Sequence, residues 1–316
     1  MFAAALGVLT SLAAGAQGTA PNIVVLVADD LGYADLGCYG SSTISTPRID
    51  QLAAEGARFD SFYVHTTCTP TRAAMLTGRY GSRVGMRSPI GSWSPFGLSP
   101  DETTIAEVLR GVGYRSGLFG KWHVGDSPDQ QPTNQGFDEF AGVLWGPTGL
   151  PLVLVDSAAM SETFEPDMRF DTARVTARAL DFIDRAHADG MPFFCCVPFT
   201  TPHVPALASP PFIGQSGDGR DYGDAVEEMD ASVGAIIDRI DGLGLGSTTL
   251  ILFFSDNGAK ISGEPYQSGS NAPLRGGKGS TWEGGVRVPA VARMPGTVRA
   301  NFTILDPAAI TDLLPT

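Results

Sequence analysis

Residues 22–32 read NIVVLVADDLG, an apolar, β-branched run that ends in two aspartates. Such a run is typical of a strand buried on both faces of a sheet. Further strand-like runs follow at residues 58–64, 114–119, 192–199 and 248–254. Helix-like patterns occupy residues 46–56, 70–76, 103–109, 171–187 and 222–240. This alternation predicts an α/β fold with a large mixed, mostly parallel sheet covered by helices on both faces.

The composition is that of a folded protein with an acidic surface. Of the 316 residues, 43% are hydrophobic and 17% are charged, and the formal net charge is −13. The first two values argue against global disorder, and the charge argues against non-specific binding of nucleic acid. The four cysteines are too few and too irregularly spaced for a disulfide framework or a thiolate zinc site.

Residues 1–20, MFAAALGVLTSLAAGAQGTA, are apolar and rich in small side chains. The small-residue pattern near Ala14 and Ala16 predicts a secretory signal peptide, although no Lys or Arg precedes the apolar run. A disordered tail or a membrane anchor is the alternative. No later apolar run is long enough to span a bilayer.

Polar side chains follow the predicted strands at the ends where α/β sheets bind ligands. These residues are Asp29, Asp30, Lys121, His123, His203, Asp256 and Asn257. The carboxylate and amide oxygens among them suit Ca²⁺ or Mg²⁺ better than zinc. Taken singly, Asp29-Asp30 also fits an ordinary helix cap, and Asp256-Asn257 fits an ordinary turn.

The stretch Cys68-Thr69-Pro70-Thr71-Arg72 carries the most specific chemical signal. A lone cysteine is usually an inert, buried side chain. Here it precedes a helix that Pro70 can open, where backbone amides favour an anion, and Arg72 can reach back over one turn.

Cys-x-Pro-x-Arg resembles the signature of type I sulfatases, the formylglycine-dependent arylsulfatase family within the alkaline-phosphatase-like superfamily. Six segments resemble blocks of that family in the same order: residues 21–40, 68–78, 120–125, 201–205, 255–258 and 275–287. The resemblance implies an alkaline-phosphatase-like fold and a sulfatase catalytic domain over residues 21–316. It also implies that a formylglycine-generating enzyme oxidises Cys68 during maturation.

The resemblance further implies one metal ion and a covalent mechanism. Asp29, Asp30, Asp256 and Asn257 would hold Ca²⁺ in preference to Mg²⁺, with an oxygen of the modified Cys68 as a further ligand. One hydroxyl of the hydrated formylglycine would attack the sulfur of a sulfate monoester, giving a sulfo-enzyme intermediate. Loss of the proton from the second hydroxyl would then expel sulfate.

The remaining roles fall on cations and histidines. Arg72, Lys121 and Lys278 would offset negative charge on the sulfate. His123 would be the base that collapses the intermediate, and His203 with Lys278 would protonate the leaving oxygen. Aryl sulfates and carbohydrate sulfates both remain open as substrates, and a secreted, lysosomal or periplasmic location is expected.

Two departures from the family pattern leave alternatives open. Residues 142–146 offer no serine where some arylsulfatases place one against the sulfate. Family members also continue beyond the equivalent of Thr316 into a smaller C-terminal subdomain, so the sequence predicts an incomplete catalytic domain. A phosphatase or phosphonate hydrolase of the same superfamily, and an inactive fragment, are the alternatives to a sulfatase.

Overall fold

The computed structural model describes residues 20–92, 94–146, 152–158, 160–164, 166–261 and 268–316. Residues 1–19 of the expected signal peptide lie outside this part of the chain. The strands are β1 Asn22–Ala28, β2 Ala57–Phe59, β3 Phe62–Tyr63, β4 Arg115–Lys121, β5 Glu139–Val143, β6 Val153–Asp156, β7 Ser161–Phe164, β8 Phe193–Pro198, β9 Thr249–Ser255, β10 Arg287–Val288, β11 Ala290–Arg293, β12 Phe302–Ile304 and β13 Ala308–Ala309. The helices are α1 Pro47–Glu55, α2 Cys68–Thr77, α3 Ile105–Gly111, α4 Asp171–Ala188, α5 Asp221–Gly242 and α6 Glu283–Val286.

Within the described residues, the main sheet has ten strands in the order β12-β2-β11-β9-β1-β8-β4-β5-β6-β7. Its centre, from β9 to β5, is parallel, and antiparallel pairs flank this centre on both sides. The predicted mixed, mostly parallel sheet is therefore confirmed. A smaller sheet joins β10, β3 and β13.

Strand β1 shows why its sequence carries no polar alternation. Val24 and Leu26 belong to the hydrophobic core on one face, which also contains Phe182 of α4 and Met229 of α5. Val25 and Val27 belong to the core on the other face, which contains residues of α2 and α3. Successive side chains of a strand point to opposite faces, so a strand covered on both sides needs apolar residues throughout.

The prediction of one strand over residues 58–64 was wrong. The segment forms two short strands in different sheets, with β2 pairing with β11 and β12, and β3 pairing with β10 and β13. Between them the backbone N–H of Asp60 donates to the carbonyl of Ile304. The alternation of apolar residues does not reveal that the chain passes from one sheet to another. Such alternation reports which side chains are buried, and it does not identify the partner strand.

Tertiary pairing also produces strands and boundaries that the sequence pattern did not indicate. Strands β5, β6 and β7 extend one side of the sheet, and only β5 is fully buried. Helix α2 begins at Cys68, two residues before the predicted start.

No helix among the described residues combines the length and apolar character required to cross a membrane.

Candidate active site

The register of β1 and β9 brings four of the predicted ligands together. Ala28 and Ser255 are partners at the ends of these parallel strands, so Asp29-Asp30 and Asp256-Asn257 leave the sheet side by side. The backbone N–H of Asp30 donates to Asp256 Oδ1 at 3.2 Å, and Asn257 Nδ2 donates to Asp30 Oδ1 at 2.7 Å. Asp29, Asp256 and Asn257 are fully buried, and Asp30 is 3% exposed.

Each of the three carboxylates faces a cation from another part of the chain. Lys121, the last residue of β4, places Nζ 2.7 Å from Asp29 Oδ2. Arg72 of α2 donates from Nε and Nη2 to Asp256 Oδ2 at 3.1 and 2.8 Å. Lys278 Nζ lies 2.6 Å from Asp30 Oδ1. These opposed charges balance, so a bound divalent cation would leave the site positively charged and able to attract an anion despite the acidic surface.

Cys68 lies at the first residue of α2 and is 2% exposed. Burial raises the pKa of its thiol; Lys121 and Lys278 act in the opposite direction, and Asp256 and Asp29 add to the increase. The unmodified side chain is therefore a protonated thiol and a poor nucleophile. Because the charged groups of the cluster act on this thiol, Cys68 lies close to the carboxylates.

Both predicted catalytic histidines lie at this edge of the sheet. The Nε2 atom of His123 is 2.9 Å from the carbonyl of Ile90. His203 Nδ1 is 2.6 Å from the carbonyl of Val204, and its Nε2 is 3.7 Å from Asp30 Oδ2.

Both imidazoles are held in the neutral form. Burial lowers the pKa of His123 well below its ordinary value, and the positive charges of Lys121 and Arg72 lower it further. Burial also lowers the pKa of His203, although Asp29 and Asp30 oppose the shift. A neutral imidazole offers one lone pair, so each ring can accept a proton during a reaction.

Two buried oxygens of the cluster have no hydrogen-bond partner among the residues that the structure describes. They are Asp29 Oδ1 and Asn257 Oδ1, and Arg72 Nη2 lies 3.9 Å from the first. Buried polar atoms are normally satisfied, so a pair of free oxygens beside three carboxylates fits a hard cation such as Ca²⁺. Ligand atoms of Asp29, Asp30 and His203 also lie within 4.8 Å of one another.

The pKa shifts show that the carboxylates compete for the available positive charge. Burial would raise the pKa of Asp29, but the positive charges of Lys121, Arg72 and Lys278 hold it well below its ordinary value. Burial and the negative charge of Asp29 raise the pKa of Asp256. A divalent cation between the two would favour the ionised form of both.

Two site residues adopt a left-handed backbone that side chains other than glycine rarely take. Asp30 has φ 69° and His123 has φ 62°. Such conformations cost on the order of 1 kcal/mol or more and persist where the surroundings enforce them. Each lies two residues beyond the end of its strand, Asp30 after β1 and His123 after β4.

Sequence reasoning missed the residues that hold the loop after β1 in place. Asp35 accepts hydrogen bonds from the backbone N–H groups of Gly32 and Ser270, and from Tyr222 Oη at 2.7 Å. Ser255 Oγ accepts from Leu31 N–H. Asp35 lies in a segment that resembles the family, but no local pattern indicates that its partners lie near residues 222 and 270.

Comparisons with known proteins place this site in context. Residues 21–316 match the family model described as Sulfatase. The chain is 39% identical to N-acetylgalactosamine-6-sulfatase of Canis lupus familiaris over 98% of its own length and 64% of that protein. It is also 39% identical to Arylsulfatase A of Homo sapiens, over 98% of its own length and 66% of that protein. The chain therefore spans slightly less than two thirds of these relatives.

A solved structure supports the same grouping. The structure described as Ps i-CgsB in complex with k-i-k-neocarrahexaose superimposes with a TM-score of 0.84 and 33% sequence identity. The match covers 94% of this chain and 71% of that protein.

Proposed function

We infer that this chain, which belongs to the sulfatase family, hydrolyses sulfate monoesters at the carboxyl edge of its central strands. The observation that carries the proposal is the buried cluster of Asp29, Asp30 and Asp256, opposed by Arg72, Lys121 and Lys278 beside Cys68. Desolvation of buried charges often exceeds what their pairing regains, so the cluster is retained at a cost in stability. Such cost is typical of a site maintained for chemistry.

The metal proposed for this site is Ca²⁺, held by Asp29, Asp30, Asp256 and Asn257 with an oxygen of the modified Cys68. A set made only of protein oxygens suits Ca²⁺ better than Mg²⁺, which prefers to retain water ligands. The ion would supply Lewis-acid stabilisation of negative charge on the reacting oxygens.

Oxidation of Cys68 to formylglycine by a formylglycine-generating enzyme is part of the same proposal. The hydrated aldehyde would supply the nucleophilic hydroxyl that the buried thiol does not provide. The start of α2 would orient this group, because the backbone amides of the first helical turn favour negative charge there.

The other side chains divide between charge stabilisation and proton transfer. Lys121 and Lys278 would donate hydrogen bonds to sulfate oxygens, while Arg72 stays bound to Asp256 and keeps positive charge beneath the cluster. His123 would accept a proton at Nδ1. His203 would carry a proton to the leaving oxygen with Lys278, since a neighbouring anion favours its protonated form.

The substrates proposed are aryl or carbohydrate sulfates. Two findings favour carbohydrates: one relative is named for a sulfated amino sugar, and one similar structure contains an oligosaccharide. A secreted, lysosomal or periplasmic location is proposed on the composition of residues 1–20.

Mass spectrometry of the tryptic peptide 59–72 tests the proposal. In a host that contains the modifying enzyme, part of the peptide should be lighter than the thiol form and react with a hydrazide.

The same preparation should release sulfate from an aryl sulfate faster than phosphate from the matching aryl phosphate. Cys68→Ala should fold and lose sulfate release. Faster phosphate release, or a fully active preparation that contains only unmodified cysteine, would contradict the proposal.

A further inference from the structure

The hydroxyl of Thr69 joins the residue after Cys68 to two distant segments. Thr69 is fully buried in the first turn of α2. Its Oγ1 donates to the carbonyl of His123 at 3.0 Å and accepts from the backbone N–H of Ile90 at 3.3 Å. One side chain therefore satisfies a backbone acceptor of one segment and a backbone donor of the other.

These two segments are also joined by the imidazole of His123. Its Nε2 is 2.9 Å from the carbonyl of Ile90. Because a carbonyl oxygen can only accept, Nε2 carries the proton, and the lone pair of the neutral ring is on Nδ1. The Nδ1 atom is buried and has no hydrogen-bond partner in the part of the chain that the structure describes. The ring is thus held with its basic nitrogen free.

Thr69 holds both residues that form this bond. It fixes the main chain of His123, which adopts the left-handed conformation, and the main chain of Ile90, whose carbonyl selects the tautomer. We propose that Thr69 is a positioning residue that holds His123 in its Nε2–H tautomer, with Nδ1 free to accept a proton. The relevance to turnover rests on the proposed function, whereas the tautomer is a property of the chain alone.

Thr71 provides a matched control on the same helix. It is buried, and its Oγ1 accepts from the backbone N–H of His65 at 3.0 Å. It binds neither His123 nor Ile90 in any hydrogen bond of the described residues. Thr71→Val therefore removes a buried hydroxyl from α2 without removing a contact to the His123 segment.

Nitrogen NMR of protein labelled with ¹⁵N-histidine tests the tautomer directly in unmodified protein. The sequence has four histidines, and the variant His123→Gln identifies the signals of that ring. Wild type, Thr69→Ser and Thr71→Val should each show protonated Nε2 and bare Nδ1. Thr69→Val, which is nearly isosteric but lacks the hydroxyl, should show a mixture of tautomers. An unchanged His123 spectrum in Thr69→Val, or a protonated Nδ1 in wild type, would overturn the proposal.

Turnover gives the second measurement, with rates divided by the aldehyde content of the peptide 59–72 in each preparation. Thr69→Val should lower kcat by about 10-fold to 100-fold, the scale on which small displacements of reacting groups act. Thr69→Ser should restore most of the rate, and Thr71→Val should retain it. Equal losses in Thr69→Ser and Thr69→Val would overturn the role in turnover. A wild-type protein with the expected tautomer and no sulfate release would contradict the proposed function alone.

Discussion

The charged edge of the sheet and an apolar cavity beside β12 are formed by different forces. The cavity has a volume of about 550 Å³ and is lined by side chains of β2, β9, β11 and β12, including Leu252, Met294 and Phe302. None of the predicted site residues lines it. At the charged edge, buried carboxylates and cations face one another at hydrogen-bond distance.

Volume and apolar lining therefore do not coincide with the proposed active site of this molecule. Apolar side chains need no specific partner. An apolar lining can therefore arise wherever the sheet leaves a gap. Buried charges lose their hydration and remain only where opposite charges compensate for that loss. The charged edge should therefore respond strongly to removal of a single group, and the cavity should respond weakly.

Removal of one buried cation should have the largest effect. Lys121→Met removes the cation that lies 2.7 Å from Asp29 and leaves this buried carboxylate with Arg72 Nη2 at 3.9 Å. We expect the free energy of unfolding to fall by about 3–5 kcal/mol, since an uncompensated buried charge is left behind. Sulfate release should be lost as well. Urea denaturation and a sulfate assay measure the two effects.

An exposed ion pair of the same length serves as the control. Arg239 Nη2 lies 2.7 Å from Asp184 Oδ2, but the two side chains are 46% and 37% exposed. Arg239→Met should cost less than about 1 kcal/mol and leave activity intact. Similar losses from both variants would remove the distinction between the charged edge and the rest of the surface.

Calcium should stabilise the folded protein through the charged edge. At a free concentration about 100 times the Kd, a ligand that binds only the folded state adds about 2.7 kcal/mol to the free energy of unfolding. Denaturation of chelator-treated protein with and without Ca²⁺ measures this gain. Asn257→Leu, which removes an unpartnered buried oxygen, should weaken the response. A response of full size in that variant would argue that calcium binds elsewhere.

Asp230 of α5 allows the effect of burying a carboxyl group on stability to be measured apart from any effect on catalysis. It accepts hydrogen bonds from the backbone N–H groups of Arg48 and Ile49 at the start of α1. Burial raises its pKa to about 6. Since the folded state holds this proton more tightly than the unfolded chain, Asp230 contributes stability at low pH that is lost as the pH rises towards 6.

Asp230→Asn should remove this loss, about 2–3 kcal/mol for a pKa raised from 3.8 to about 6, from the pH profile of unfolding. Sulfate release should not change. Asp238, a largely exposed carboxylate on the same helix that also contacts Arg48, is the matched control. Denaturation across this pH range compares Asp238→Asn with Asp230→Asn. Identical profiles for wild type and Asp230→Asn would show that this carboxyl group does not contribute.

The smallest effect is expected in the cavity. Phe302 is 41% exposed, so Phe302→Ala should change the free energy of unfolding by less than about 1 kcal/mol and leave turnover intact. Phe254 of β9 is fully buried, and Phe254→Ala should cost about 3–5 kcal/mol. A loss of activity in Phe302→Ala would mean that the cavity acts on the charged edge.

The sequence by itself determined most of the central strands and the candidate residues of the site. Apolar runs such as residues 22–28 require a strand covered on both faces, because no side of them can face water. The motif from Cys68 to Arg72 and the polar residues after the strands indicated the family and the residues of its site. Both signals are local, since a few adjacent residues carry them.

Only the tertiary structure decided how the site residues meet. The register of Ala28 with Ser255 brings Asp29-Asp30 and Asp256-Asn257 together, and residues 35 and 222 form a hydrogen bond across 187 positions of sequence. The division of residues 57–63 between two sheets and the two contacts of the Thr69 hydroxyl were likewise invisible in the sequence. The physical reason is that hydrogen bonds and ion pairs depend on distance in space, whereas sequence periodicity reports only which side of an element is buried.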